Sequence, residues 1–335
     1  MKNTNSRQLA RTWPYTRYKS FEASLRKAAE QWFSERGCET HPRMGYCLAR
    51  HDLWPMNLIC EDVADYIRQE QERHLGEDSF PLHKYLHHGL SSQAMAFNLI
   101  GPLIVRNDLE PLKIAIERLG VEWPGGDVEA VFEHDDRSVF NEDNGQPTSI
   151  DIILSGSCNS LFIEAKLVER EFGGCSVFIE AKLVEREFGG CSVFAGGDCE
   201  GRNPYPDRLG ECYLHHIGRK YWQRLEELGF SEAALANGAI CPFANYYQFF
   251  REAMFAFAKQ GTFILLHDAR NPAFLRSTDD GMAYGGLWPF LYEAIPQNLR
   301  HRVGRLTIQM VVEAIQESGG HEDWIGDFKK KYGLQ

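Results

Sequence analysis

The sequence has no apolar run of the roughly twenty residues needed to cross a bilayer. Its first twenty residues, MKNTNSRQLARTWPYTRYKS, are basic but lack the apolar segment of a secretory signal. A cytoplasmic protein without membrane partners is therefore expected. Nine cysteines, an odd number in a chain with no export signal, argue for reduced thiols rather than a disulfide framework. Positive charge is also scarce: 36 Lys and Arg stand against 47 Asp and Glu, a net charge of −11. That counts against a protein that coats nucleic acid non-specifically, because phosphate binding needs cations. It leaves room for a segregated basic patch. The first twenty residues, with Trp13, Tyr15 and Tyr18 interleaved, read either as such an arm or as a solvated tail.

With 335 residues, 43% of them hydrophobic, the chain can bury a substantial core. The pattern predicts an α/β protein: a mixed β-sheet flanked by helices, divided into an N-terminal helical region over residues 1–120 and a core over residues 121–335. Helical spacing places helices at Ser20–Arg36, Glu61–His74, Ser91–Ile100 and Leu109–Leu119. Further helices are predicted at Cys212–Leu228, Asn245–Lys259 with Asn245 as cap, Leu306–Gln316 and Asp323–Tyr332. Strands are predicted at Val128–Glu133 and Thr262–His267. The histidines of LHKYLHH, with His83 and His87 four apart, could share a helix face, but no third metal ligand accompanies them. Arg219, Lys220 and Arg224 face either phosphate or solvent, and Lys329–Lys331 reads as a solvated end.

The organising stretch is Thr148–Glu169, TSIDIILSGSCNSLFIEAKLVE. Two strands, Ser149–Leu154 and Leu161–Leu167, flank a cluster of turn formers. Side chains alternate along a strand, so Ile150, Ile152 and Leu154 share one face, as do Ile163, Ala165 and Leu167. The opposite face carries Ser149, Asp151, Glu164 and Lys166. A tip at Ser157-Cys158 sets Asp151 opposite Glu164, where two carboxylates repel unless a cation lies between them. Hard oxygen ligands favour Mg²⁺, with Mn²⁺ as substitute, and Lys166 on the same face can hold an attacking water or steady phosphate charge. The competing reading is an amphipathic hairpin with a solvated charged face.

Asp151 followed by Glu164-Ala165-Lys166 resembles the PD-(D/E)XK nuclease superfamily of restriction-endonuclease-like fold. The segments SSQAMAFN and CYLHHIGRKYW are similar to a bacterial restriction-endonuclease-like family within it. The resemblance implies that Asp151 and Glu164 bind the metal, with help from the Ala165 carbonyl, and that Lys166 assists the nucleophile. The expected activity is Mg²⁺-dependent DNA endonuclease cleavage, with a restriction or defence role implied by the resemblance alone. In that superfamily an early helix often supplies another acid. Here Gln93 or Asn98 would stand in its place, so that acid is missing unless Glu129 or Glu133 provides it. Gln248, on the helix after the catalytic strands, is a further auxiliary candidate. The missing acid keeps open an inactive nuclease-fold protein that binds nucleic acid or a protein partner. The oligomeric state is open, a homodimer included.

Residues 163–178, IEAKLVEREFGGCSVF, recur letter for letter as residues 179–194. Two perfect copies are too few and too alike for a solenoid. They create a second pair, Glu180 and Lys182, beside Glu164 and Lys166. Pairing Asp151 with Glu180 would need a loop of about twenty-two residues where hairpins use two to five, so the first copy is expected at the site. Cys191, its duplicate Cys175, Cys199, Cys212 and Cys241 admit a cysteine-ligated zinc or iron–sulfur site. Their spacings form no tight Cys-x-x-Cys knuckle, which favours unliganded thiols.

Overall fold

The computed structural model describes residues 18–74, 80–143, 147–168, 191, 193–194, 197–232, 238–272, 274 and 287–335. The first seventeen residues of the basic N-terminus and the repeat residues Glu180 and Lys182 lie outside the described residues.

Helix α1 (Tyr18–Glu35) leads into a small hairpin of β1 (Thr40–His41) and β2 (Met44–Leu48). Then come α2 (Glu61–Arg73), α3 (Ser92–Leu99), α4 (Gly101–Val105) and α5 (Glu110–Glu117). Strands β3 (Glu129–Asp135), β4 (Ser149–Ser155) and β5 (Ser160–Lys166) follow. After the duplicated stretch the chain forms α6 (Tyr213–His216), α7 (Tyr221–Glu227) and α8 (Pro242–Ala258). It closes with β6 (Thr262–His267), α9 (Leu287–Glu293), β7 (Val303–Thr307), α10 (Ile308–Ser318) and α11 (Glu322–Tyr332). No helix among the described residues is long and apolar enough to cross a membrane.

The main sheet has five strands in the order β3-β4-β5-β6-β7. The first three form an antiparallel meander, and β6 and β7 extend it in parallel, giving a mixed sheet. The β4–β5 register pairs Ile152 with Ile163 and Leu154 with Leu161, which continues to Asp151 opposite Glu164. One side of the sheet packs Ile152, Leu154, Leu161, Ile163, Ala165 and Leu167 against α3, the flanking N-terminal helices and α10–α11. The other side packs Ile153, Phe162, Phe263 and Leu265 against the aromatic helix α8. The hairpin is thus covered on both faces, which goes against the competing reading of a solvated charged face. Ile150 departs from the expected alternation and joins the α8 side, because β4 leaves its ladder with β5 beyond Ile152.

Several predicted elements need correction. The helix predicted at Cys212–Leu228 is two helices, broken at Gly218, whose φ of +84° lies in the left-handed region that glycine tolerates. The cap of α8 is Cys241, not Asn245, with Pro242 in the first turn, and the helix kinks at Tyr246. The helix predicted from Leu306 begins only at Ile308, and the residues before it form the edge strand β7. Residues 84–87 make turns rather than a helix, so His83 and His87 share no helix face. Lys331 is not solvated: it is fully buried, donates to the Asn57 carbonyl, and sits 4.7 Å from the Trp32 ring centre. Burial pushes its pKa well below the ordinary lysine value.

The basic residues at 219–224 also have a structural task. Arg219 donates to the Asn141 carbonyl, and Arg224 to that of Val139 at 3.2 Å. They hold the β3–β4 connection, as does the buried Glu142, which accepts from Thr148 N at 2.5 Å and from the Tyr221 hydroxyl. Tyr247 of α8 donates to Tyr221 at 2.5 Å and completes the link.

Helix α3 is positioned by its cap. The Ser91 side chain accepts from Ala94 N at 3.2 Å and is buried, so water cannot replace it. Ser91→Ala should destabilise the protein by about 1 kcal/mol, read as a lowered urea midpoint with unchanged slope. An unchanged midpoint would show that the cap contributes nothing.

Candidate active site

Five acidic or basic side chains from four elements share one electrostatic field. Asp151 comes from β4, Glu164 and Lys166 from β5, Glu133 from β3 and Glu252 from α8. Residues two apart on a strand share a face, and Lys166 Nζ pairs with Glu164 Oε1. Both are almost enclosed, at 5% and 3% exposure. Gln248 of α8 donates to the same Glu164 oxygen at 2.8 Å. At the end of the β4–β5 ladder, Asp151 Oδ2 accepts the Ala165 backbone N–H at 2.7 Å, a side chain standing where a ladder bond would otherwise fall.

Gln93 reaches the site from α3. Its amide nitrogen donates to Glu133 Oε1 at 2.8 Å and to the Pro81 carbonyl at 2.9 Å, while its oxygen accepts from His83 N at 2.9 Å. The early helix therefore supplies an amide that holds an acid, and the acid itself comes from β3. Glu133 has a φ of +53°, in the left-handed region, in the middle of a strand. Its neighbours Phe132 and His134 pair with Ile152 and Ile150, so Glu133 stands across from Asp151 without completing the ladder. Such a backbone costs of order 1–3 kcal/mol in a non-glycine residue and clusters at functional sites. Asn98, the other candidate amide, is spent elsewhere, accepting from Ile59 N at 2.7 Å and donating to Asn57 O and the Tyr332 hydroxyl.

Glu252 escaped the sequence reading. It is fully buried, and neither carboxylate oxygen has a hydrogen-bond partner of good geometry among the described residues, although Gln248 lies near enough to favour its anion. The signal was present: it is the only acid in the helix PFANYYQFFREAMFAFA, four residues and one turn after Gln248. Arg251 beside it lies over the Tyr247 ring at 5.0 Å.

The charges disturb one another. Burial, then the charge of Glu252, raise the Glu164 pKa to about 8 against the opposing pull of Lys166. Burial raises that of Glu252 to about 7, with Lys166 and Arg251 opposing and Asp151 adding to the rise. Glu133 is also pushed well up, first by burial and then by Asp151. Four carboxylates face Lys166 and, from α8, Arg251, so the site carries excess negative charge that protons or a cation must offset.

Oxygen donors of this kind, with two orphaned oxygens on Glu252, fit a hard divalent cation. Among the described residues no three His, Cys, Asp or Glu side chains already stand in ligating positions. Mg²⁺ does not require three, since it binds one or two carboxylates and keeps several waters.

The fold and this cluster define a mixed α/β protein with a buried carboxylate–lysine site at the ends of its central strands. The family model described as restriction endonuclease associating with ARP matches residues 26–178 and again residues 175–333, and the chain belongs to that family. Membership suggests a nuclease or defence role. The two matches meet at residues 175–178, inside the duplicated stretch. No curated protein and no solved structure matches the chain.

The raised carboxyl pKa values fix the sign of a pH dependence. In the unfolded chain these glutamates ionise near about 4.3, whereas the folded protein keeps Glu252 and Glu164 protonated up to about 7 and 8. Between those limits the folded state binds more protons, so stability falls as pH rises. The melting temperature without divalent cations should drop by roughly 5 °C or more between about pH 5 and pH 8, and Mg²⁺ should recover more of it at the upper end. Glu164→Gln should flatten the slope. An unchanged slope in that variant would remove Glu164 as its source.

Proposed function

We propose that the chain is a Mg²⁺-dependent endonuclease, with Mn²⁺ able to substitute, that hydrolyses phosphodiester bonds in DNA in a restriction or defence role. We further assign it to the PD-(D/E)XK superfamily. The observation that carries this reading is the enclosure of Glu164 and Lys166 as a buried pair beside Asp151 at the end of the β4–β5 ladder. Burying a carboxyl group and a lysine together is costly, and removing them from water without a task is seldom favourable. Perturbed carboxyl groups gathered in this way are candidates for function.

In this reading Asp151 and Glu164 hold the cation. The Ala165 carbonyl is a suitable neutral ligand, because the N–H of Ala165 already turns toward Asp151 and both backbone groups of a strand residue leave on the same side. A cation bound there would polarise the scissile phosphate and activate water. Gln248 keeps the Glu164 carboxylate in place, and Gln93 does the same for Glu133. Lys166 positions the attacking water and offsets the charge that develops on the phosphate. When Glu164 turns to the cation, the buried Glu252 balances the ammonium of Lys166.

Asp151→Ala and Glu164→Ala should each reduce Mg²⁺-dependent plasmid cleavage to background, with circular dichroism unchanged. Lys166→Met should lower turnover about 10²–10³-fold while gel-shift affinity for DNA is retained. Full cleavage by either carboxylate variant would sink the metal assignment. The rival reading, an inactive nuclease-fold protein that binds nucleic acid or a protein partner, requires that the unaltered protein cleave with neither Mg²⁺ nor Mn²⁺.

The first copy of the duplicated stretch supplies the strand that carries Glu164 and Lys166. The double variant Glu180→Ala, Lys182→Ala should therefore cleave like the unaltered protein. Loss of cleavage there, with Glu164→Ala still active, would assign the chemistry to the second copy.

A further inference from the structure

Four cysteines scattered over fifty-one residues of sequence, from Cys191 to Cys241, are brought together at the N-terminal end of α8. The backbone knots their segments to one another. Cys191 N donates to Phe243 O at 2.9 Å, and Cys241 N to Gly201 O at 2.9 Å. Arg202 and Ile240 form an antiparallel bridge, and Asn203 N donates to Ala239 O at 3.1 Å. The fourth segment joins through Trp222, whose ring stands edge-on to Phe243 with centres 4.9 Å apart. Each thiol lies within electrostatic reach of another: Cys191 feels Cys212 and Cys199, and Cys241 feels Cys191 and Cys212. All four are free of disulfides.

Every one of these sulfurs also meets an N–H donor. Gly201 N donates to Cys199 Sγ at 3.3 Å, and Trp222 Nε1 to Cys212 Sγ at 3.3 Å. The backbone amides of Val193 and Phe194 turn to Cys191, and those of Phe243 and Ala244 to Cys241. Donors on sulfur favour the thiolate, which is the form that ligates metal. Burial nevertheless raises the pKa of Cys191 and of Cys241, the latter to about 12, against the pull of these donors. Cys191 and Cys241 are also nearly enclosed, at 8% and 9% exposure, where desolvation works against an unneutralised thiolate.

We propose that Cys191, Cys199, Cys212 and Cys241 form a four-thiolate metal centre, holding zinc or an iron–sulfur cluster, that fixes the start of α8. The sulfurs do not yet surround one point, since among the described residues no three His, Cys, Asp or Glu side chains stand in ligating positions. Binding a metal there requires their side chains to rotate inward. Such a centre suits its place. The connection from β5 to α8 is long, its described part holds only short helices and turns, and a thiolate-bound metal contributes folding energy where a loop-rich segment buries little core. The spacing hid the site, because its ligands come singly from four segments rather than in close pairs.

The assignment selects one copy of the duplication. Cys191 belongs to the second copy and Cys175 to the first. The test is metal content of the full-length protein isolated anaerobically without chelator. One zinc per chain, or iron with acid-labile sulfide and broad visible absorbance, is expected; the first identifies zinc and the second a cluster. Cys191→Ser and Cys241→Ser should fall to background metal, while Cys175→Ser and Cys60→Ser should keep it. Metal retained in folded Cys191→Ser, or lost in Cys175→Ser, overturns the assignment. If the serine variants do not fold, mercurial titration of the unaltered protein decides. Release of the metal in step with four thiols supports the centre, and absence of zinc and iron from the isolated protein overturns it. The readout involves no DNA cleavage and no Mg²⁺, so its failure leaves the nuclease reading standing, and loss of that reading leaves this centre standing.

Discussion

The structure depends most on how it tolerates negative charge buried beside the end of the β4–β5 ladder. Glu164 and Asp151 face each other across two strands whose register fixes their separation, and Glu164 is enclosed by the packing around it. Everything nearby answers that charge. Lys166 and Gln248 converge on a single oxygen of Glu164, the Ala165 amide is given to Asp151, and Gln93 is given to Glu133. Opposite charges about 4 Å apart interact by about 4 kcal/mol at an effective dielectric of 20, and two cations, Lys166 and Arg251, cannot neutralise four carboxylates. Protons and a divalent cation are then alternative ways to close the same deficit. A site that takes up protons as it loses metal couples its stability to both.

The central meander was legible because period-two alternation is a strong signal in β3, β4 and β5, and the turn at Ser157-Cys158 set a register that the fold keeps. Thr262–His267 was equally clear, its apolar run marking a strand buried on both faces. The sequence did not reveal β7, because Val303–Thr307 is short and runs directly into the helical pattern of α10. Nor did it reveal that the charged face of the hairpin is roofed by α8, since a buried and a solvated polar face have the same alternation. Glu252 was lost for a related reason: within an aromatic helix taken as core, a single acid reads as an exception instead of an approach to the strands. Lys331 shows the converse, a lysine run whose last member turns inward where periodicity alone predicts solvent.

The duplication makes sense of the chain only if its two copies are read for different residues. Strand β5 takes Glu164 and Lys166 from the first copy, and Cys191 near α8 comes from the second. An uninterrupted family member would need one copy to supply both, and the two family matches meet within this stretch. The surplus sixteen residues lie in sequence between β5 and the cysteine-bearing segments. The even length matters less than the position: an insertion inside β5 would have displaced Lys166 from Glu164, whereas one after Leu167 leaves the pair intact.

Helix α8 then emerges as the element on which separate demands meet. Its first turn is tied by Cys191 N and Cys241 N to the cysteine-bearing loops. One turn further, Tyr247 reaches Tyr221 and through it Glu142, which holds the β3–β4 connection. Gln248 and Glu252 meet the carboxylate site from the same helix. Gln248 lies seven residues past Cys241, about 10 Å along a helix. The kink at Tyr246 falls between the two and is the natural place for the helix to bend. An aromatic helix serves this purpose because its other contacts, Phe249 and Phe250 with Phe230, Phe243 and Phe263, are apolar and fill the face of the sheet without offering rival partners to the buried acids. Tyr247, Gln248, Arg251 and Glu252 gather polar contacts within two turns, which lets one helix serve as both wall of the core and second half of the site.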